Sequence, residues 1–176
     1  MVDFIWNSLI KNEKANLRKL LKANVLFQDL NPFELSLVEK IVNVRNYRPG
    51  ESIFRQGEVG VGMYIVLSGS VTIFVEELQE NNQVVFNSKH TAVTHLKASD
   101  FFGELALVED EGRRSASASA HEETVLVGFF KPDLLEIISR NPSAGVKILS
   151  RLSEVLGLRL RQTTARITEL KREVKK

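Results

Sequence analysis

The chain has 176 residues, 43% of them hydrophobic and 26% charged, with a formal net charge of +2. This composition can build a core and excludes wholesale disorder. The absence of cysteine excludes disulfides, thiolate nucleophiles, iron–sulfur clusters and zinc fingers, and it suits a reducing cytoplasm.

No run of 18 apolar residues is available to span a bilayer, and Met1-Val2-Asp3-Phe4 does not open a secretory signal. Residues 1–24 carry five Lys/Arg against two acids, and residues 157–176 carry seven against two, which leaves about −6 over residues 25–156. The basic residues therefore flank the body of the chain, unlike the basic body of a nucleic-acid binder.

Residues 1–24 read as a helix. Phe4, Ile5, Leu9, Ile10, Leu17, Leu20 and Leu21 recur at three- and four-residue spacing between Lys and Arg. Asn31-Pro32-Phe33-Glu34 supplies an N-cap, a proline at the first helical position and an acid at the third, opening a helix to about Ile41 or Val42. From Tyr47 onward, short β-rich runs are separated by Gly, Asn and Pro. Strands are predicted over 63–67, 71–75, 84–86, 92–96, 115–120 and 124–130, with a polar hairpin tip at 76–83. Lys131-Pro132-Asp133 opens a helix ending near Arg140, and Asn141-Pro142 opens a long helix to the C-terminus. The predicted fold is α+β, an antiparallel β-barrel between helical ends. It divides into an N-terminal helical extension (1–24), the barrel with flanking helices (25–140) and a C-terminal helix (141–176).

Catalytic machinery is not visible. The three histidines, His90, His95 and His121, show no metal-ligand spacing on a shared face, so no metal site is expected. There is no nucleophile elbow and no phosphate loop of the Walker type. The expectation is a protein that is not an enzyme and carries no cofactor.

Residues 101–116 are the most informative. Gly103 permits a sharp turn and a close approach. Glu104 to Leu107 is long enough for one helical turn, whose free amides attract an anion. An acidic loop, Glu109-Asp110-Glu111, leads to Gly112 and the pair Arg113-Arg114. Ser115, Ser117 and Ser119 then alternate with alanines, placing hydroxyls on one face of a strand. An arginine beside free amides suits a phosphate. A single carboxylate, Glu104, suits a sugar hydroxyl. Together they fit a ligand that is half phosphate and half ribose.

This segment resembles the phosphate-binding cassette of the cyclic nucleotide-binding domain family: Phe-Gly-Glu-x-Ala-Leu, a variable loop, then Arg-[Ser/Thr/Ala]-Ala. Tyr47-Arg48-Pro49-Gly50-Glu51-Ser52-Ile53-Phe54-Arg55-Gln56-Gly57-Glu58, then Gly60, Met63-Tyr64-Ile65 and Gly69-Ser70-Val71, extend the resemblance over roughly residues 24–170. It implies a jelly roll that binds cAMP, with cGMP as the other candidate. Arg114 would hold the equatorial phosphate oxygen, with Arg113 as the fallback. Ser115 would bind the phosphate, followed by Ala116. Glu104 would accept from the ribose 2′-OH, and Gly103, Leu105 and Ala106 would supply backbone contacts. Three features depart from the family pattern: Ser99 where many relatives have Gly, Val61 in place of an acid, and the acidic loop 109–111.

In the last helix, Leu156, Leu160, Thr163, Ile167, Leu170 and Val174 follow the 4-3-4-3-4 spacing of a coiled-coil seam. The resemblance implies a homodimer through this helix, which also closes over the base, with Thr163 of one subunit and Thr164 of the partner as base contacts. The chain stops at Lys176 with no room for a helix-turn-helix, so sequence-specific DNA binding is not expected. The expected function is a cytoplasmic regulatory sensor in signal transduction that answers to an unidentified protein effector. The alternative is an interaction or dimerisation module of the same fold that binds no nucleotide. Phe4, Ile5 and Trp6 form a candidate partner or membrane-surface element, with packing on the domain itself as the simpler expectation.

Overall fold

The computed structural model describes residues 16–76 and 90–174. Residues 1–15 of the first expected helix, with Phe4, Ile5 and Trp6, lie outside the described residues. So do most of the expected hairpin tip and the 84–86 strand. Helix α1 covers 16–23 and α2 covers Pro32–Ile41. Strands β1 (Asn43–Tyr47), β2 (Ser52–Phe54), β3 (Gly62–Ser68), β4 (Ser70–Glu76), β5 (His90–Lys97) and β6 (Phe101–Phe102) lead to a 3-10 turn at Glu104–Leu107. Strands β7 (Ser117–Ala120) and β8 (Thr124–Phe130) follow, then α3 (Lys131–Arg140) and α4 (Pro142–Glu173).

The strands form two antiparallel sheets, β1-β8-β3-β6 and β2-β7-β4-β5. This is a jelly-roll arrangement, but among the described residues the expected barrel is not closed, because each sheet keeps its own edge strands. Strand β1 was not expected from the sequence. It lies at a sheet edge with four of its five residues exposed, so Asn-Val-Arg-Asn-Tyr carries no apolar alternation. Strands β3 and β8 show the opposite extreme. Met63, Ile65, Val127 and Phe129 pack into a core with the helices, while Val66 and Leu126 face Val71, Phe102, Ala118 and Ala120 between the sheets. Burial on both faces explains why these strands read as continuous apolar runs.

The caps form as expected. Asn31 Oδ1 accepts from the Phe33 and Glu34 amides at 2.9 Å, and the Glu34 carboxylate accepts from the Asn31 amide at 2.8 Å, which completes a capping box. Glu34 is 3% exposed and also takes Lys147 Nζ of α4 at 2.7 Å. Arg151, one turn further along α4, pairs with Asp29 at 2.5 Å. With Ala144, Ile148 and Leu152 in the helical core, these pairs root α4 against the N-terminal helices. Among the described residues no helix is long and apolar enough to cross a membrane.

Burial alone would raise the Glu34 pKa, but bonds from Lys147, the Asn31 amide and Ser143 outweigh it and hold the carboxyl below its ordinary value. A depressed carboxylate contributes stability above its unfolded pKa and loses it as the pH falls through the folded one. Lys147→Met should therefore cost about 1–3 kcal/mol at pH 7. In urea denaturation the gap from the parent protein should close as the pH drops below 4.5. Ser99 has a φ of 78°, a left-handed conformation that disfavours side chains and favours glycine. Ser99→Gly should raise the urea midpoint, with a gain of up to about 1 kcal/mol after glycine's unfolded-state entropy is subtracted.

Candidate functional site

The Gly103 backbone turns at φ 78° and leads into the 3-10 turn Glu104–Leu107, which no side chain caps. Its first amides lack partners within the turn. The turn packs on β3, and together with β2, β4, β5 and the 112–116 segment it encloses a cavity of about 270 Å³. Gly103, Glu104, Leu105, Ala106, Arg113, Arg114, Ser115 and Ala116 all line this cavity, so the cassette predicted from sequence converges in space. Ile73, Thr94, Leu96 and Phe101 supply much of the remaining wall.

The two arginines separate. Arg114 is 8% exposed. Its Nη1 donates to Gly103 O at 3.2 Å and its Nη2 to Gly62 O at 2.7 Å, while the guanidinium lies 4.1 Å from the Phe54 ring centre. Its buried Nε has no partner. Burial pulls its pKa down from the ordinary arginine value, opposed by Tyr64, Glu58 and Glu104; an arginine still remains a cation. Two glycines make room for this group. A Cβ on Gly103 would stand 2.5 Å from Arg114 Nη1, and one on Gly60 would stand 3.2 Å from the guanidinium carbon. Arg113 is exposed, and its Nη1 donates to Gly57 O at 2.8 Å. Neither arginine pairs with the acidic loop. Asp110 pairs with Lys131 instead, which holds the Asp110 carboxyl below its ordinary value.

Glu104 is 5% exposed and pairs with Arg159 of α4 at 2.5 Å. Arg159 also donates to Phe101 O at 3.1 Å and lies over the Phe101 ring at 4.9 Å. Arg159 thus joins the long helix to the cavity wall, a role not foreseen from sequence. The available signal was a basic residue one helical turn before Thr163, on the same face.

Thr163 and Thr164 do not line the cavity of the single chain. Both are exposed and lie outside the cavity lining, and each hydroxyl donates to its own helix one turn back, to Arg159 O and Leu160 O at 2.9 Å. The reason is geometric: α4 continues past the cavity, and every residue from Leu158 to Val174 is exposed. Two of the three histidines also come together. His95 and His121 do share a face, with ring centres 5.5 Å apart.

Comparison with known proteins bears on the whole arrangement. The family model for the cyclic nucleotide-binding domain matches residues 44–141. The chain is 35% identical over 142 residues to the cyclic AMP receptor protein of Thermus thermophilus, covering 81% of this chain and 60% of that protein. It is 28% identical over 145 residues to the CRP-like cAMP-activated global transcriptional regulator of Mycobacterium tuberculosis, covering 82% and 59%. The chain therefore spans about three fifths of the length of these relatives. The crystal structure of the Thermus thermophilus catabolite activator protein superimposes with a TM-score of 0.70 at 33% identity, covering 84% of this chain and 63% of that one.

The Glu104–Arg159 contact is open to a double-mutant cycle. Arg159→Ala strands a buried carboxylate, and Glu104→Gln removes its charge. Urea denaturation of the two single variants and the double variant should give a coupling energy of about 0.5–3 kcal/mol.

Proposed function

The chain belongs to the cyclic nucleotide-binding domain family, and from that premise we propose that it is a regulatory sensor that takes cAMP, ahead of cGMP, into the cavity between Gly103 and Arg114. The observation that carries this reading is the buried Arg114 with an unpaired Nε beside the uncapped turn at Gly103. A desolvated cation lacking one acceptor is completed by a phosphate oxygen. The amides of Glu104 and Leu105 and the Ser115 hydroxyl add donors at the same end. The ribose 2′-OH goes to Glu104, and the base packs against Ile73, Thr94 and Leu96.

Glu104 already has a partner, so entry of a ribose competes with Arg159. That competition links the cavity to α4 and supplies the readout: ligand changes the equilibrium position of the helix. Leu160, Ile167, Leu170 and Val174 are exposed along α4, at 68%, 48%, 43% and 88%, which supports a homodimer through this helix. In that dimer Thr163 and the equivalent of Thr164 on the second copy come to the base. The sensor performs no chemistry of its own, works in the cytoplasm and passes its state to a protein effector.

A second reading, an interaction module of the same fold that binds no nucleotide, is favoured by one fact. Arg114 Nη1 and Nη2 and the Glu104 carboxylate are satisfied within the chain. Calorimetric titration with cAMP and cGMP separates the two. Under the sensor reading cAMP releases or absorbs heat and cGMP binds more weakly. Arg114→Leu then weakens cAMP by about 2–5 kcal/mol. Ser115→Ala, at an exposed position that leaves the fold intact, weakens it by about 1.5–3 kcal/mol. No binding of either nucleotide by the parent protein establishes the second reading.

A further inference from the structure

His95 and His121 come from opposite sides of β4. His95 pairs with Thr72 across the β4·β5 ladder, on the edge strand of its sheet. His121 follows β7, and its amide donates to Ser70 O at 2.9 Å. Ser70 and Thr72 are two residues apart and share one face of β4. The neighbouring Val71 is fully buried, so that face is the outer one. Both histidines are exposed and lean over it, with ring centres 5.5 Å apart and planes at 70°.

This spacing suits a shared metal ion. With Zn–N bonds of ~2.0–2.1 Å at a tetrahedral angle, two imidazole centres lie roughly 5 Å apart. The His95 ring is also held in place, with its Nδ1 3.1 Å from Thr72 Oγ1. The tautomer that donates from Nδ1 to that hydroxyl leaves the Nε2 lone pair free. An oriented imidazole of this kind is the usual arrangement in metal-binding histidines. Glu122, next in the chain, accepts from Ser70 Oγ at 2.7 Å and adds negative charge nearby. Among the described residues no group of three or more His or acidic side chains could hold a metal ion, so a bound ion would have to complete its coordination with water.

We propose that His95 and His121 form a two-histidine chelate for a divalent transition metal, with zinc as the test ion. The ion would tie edge strand β5 to the end of β7 across β4. Imidazole donors select zinc, copper or nickel over magnesium. Any ion bound only by the folded state also raises the melting temperature.

The test uses untagged full-length protein stripped with a chelator, titrated with zinc chloride and separately with magnesium chloride. One zinc per chain is expected, with a rise in melting temperature and no magnesium binding. His95→Ala and His121→Ala each weaken zinc at least about tenfold. His90→Ala, at the chain's third histidine, leaves binding intact. His95 and His121 are exposed, and circular dichroism and melting without metal verify that each variant folds. The assignment is overturned if the parent protein does not bind zinc, or if magnesium binds equally. It is also overturned if zinc survives either substitution, or if His90→Ala abolishes binding.

Discussion

Arg114 holds a full positive charge at 8% exposure, and no ion pair reaches it among the described residues. Such a charge is tolerated only when its protons find acceptors and its plane finds a surface. Here two carbonyls and the Phe54 ring provide them. The glycines follow from that need. Gly60 and Gly103 occupy positions where a methyl group would push into the guanidinium. Gly103 in addition adopts the left-handed turn that starts the 3-10 segment. One buried cation therefore dictates residues some forty positions apart in the chain, and the cavity is the space left around it.

The second organising contact belongs to Glu104. A carboxylate at 5% exposure also needs a partner, and Arg159 comes from a helix whose root packs with the N-terminal helices. Lys147 and Arg151 fix that root to Glu34 and Asp29, and Ile148 and Leu152 bury it. The helix thus touches the N-terminal helices and the cavity wall within four turns. The cavity wall and the helix are thus joined by one ion pair.

Much of this was legible in the residue order because it is local. Asn31-Pro32 and Asn141-Pro142 announce helix starts through the immediate backbone demands of a helix N-terminus. The runs in β3 and β8 announce burial through composition alone. The cassette residues were readable because a turn, a carboxylate and an arginine occur within a dozen positions. What escaped was long-range. Strand β1 is an exposed edge whose partner, β8, lies about eighty residues away, so nothing in its own five residues marks it. Arg159 gains its meaning from Glu104, 55 positions earlier. Thr163 and Thr164 were placed by the family resemblance, and in the single chain their hydroxyls donate to their own helix. The histidine pair is assembled across three strands, and no spacing along the chain encodes it.

The length of α4 gives its outermost contact with the cavity wall mechanical leverage. Beyond Arg159 the helix continues to Glu173 with every side chain exposed. At a rise of 1.5 Å per residue that projecting arm is about 20 Å long. A tilt of about 10° at its base sweeps the tip through roughly 3–4 Å. A small change at the Glu104–Arg159 contact is thereby magnified to the width of a side chain at the far end.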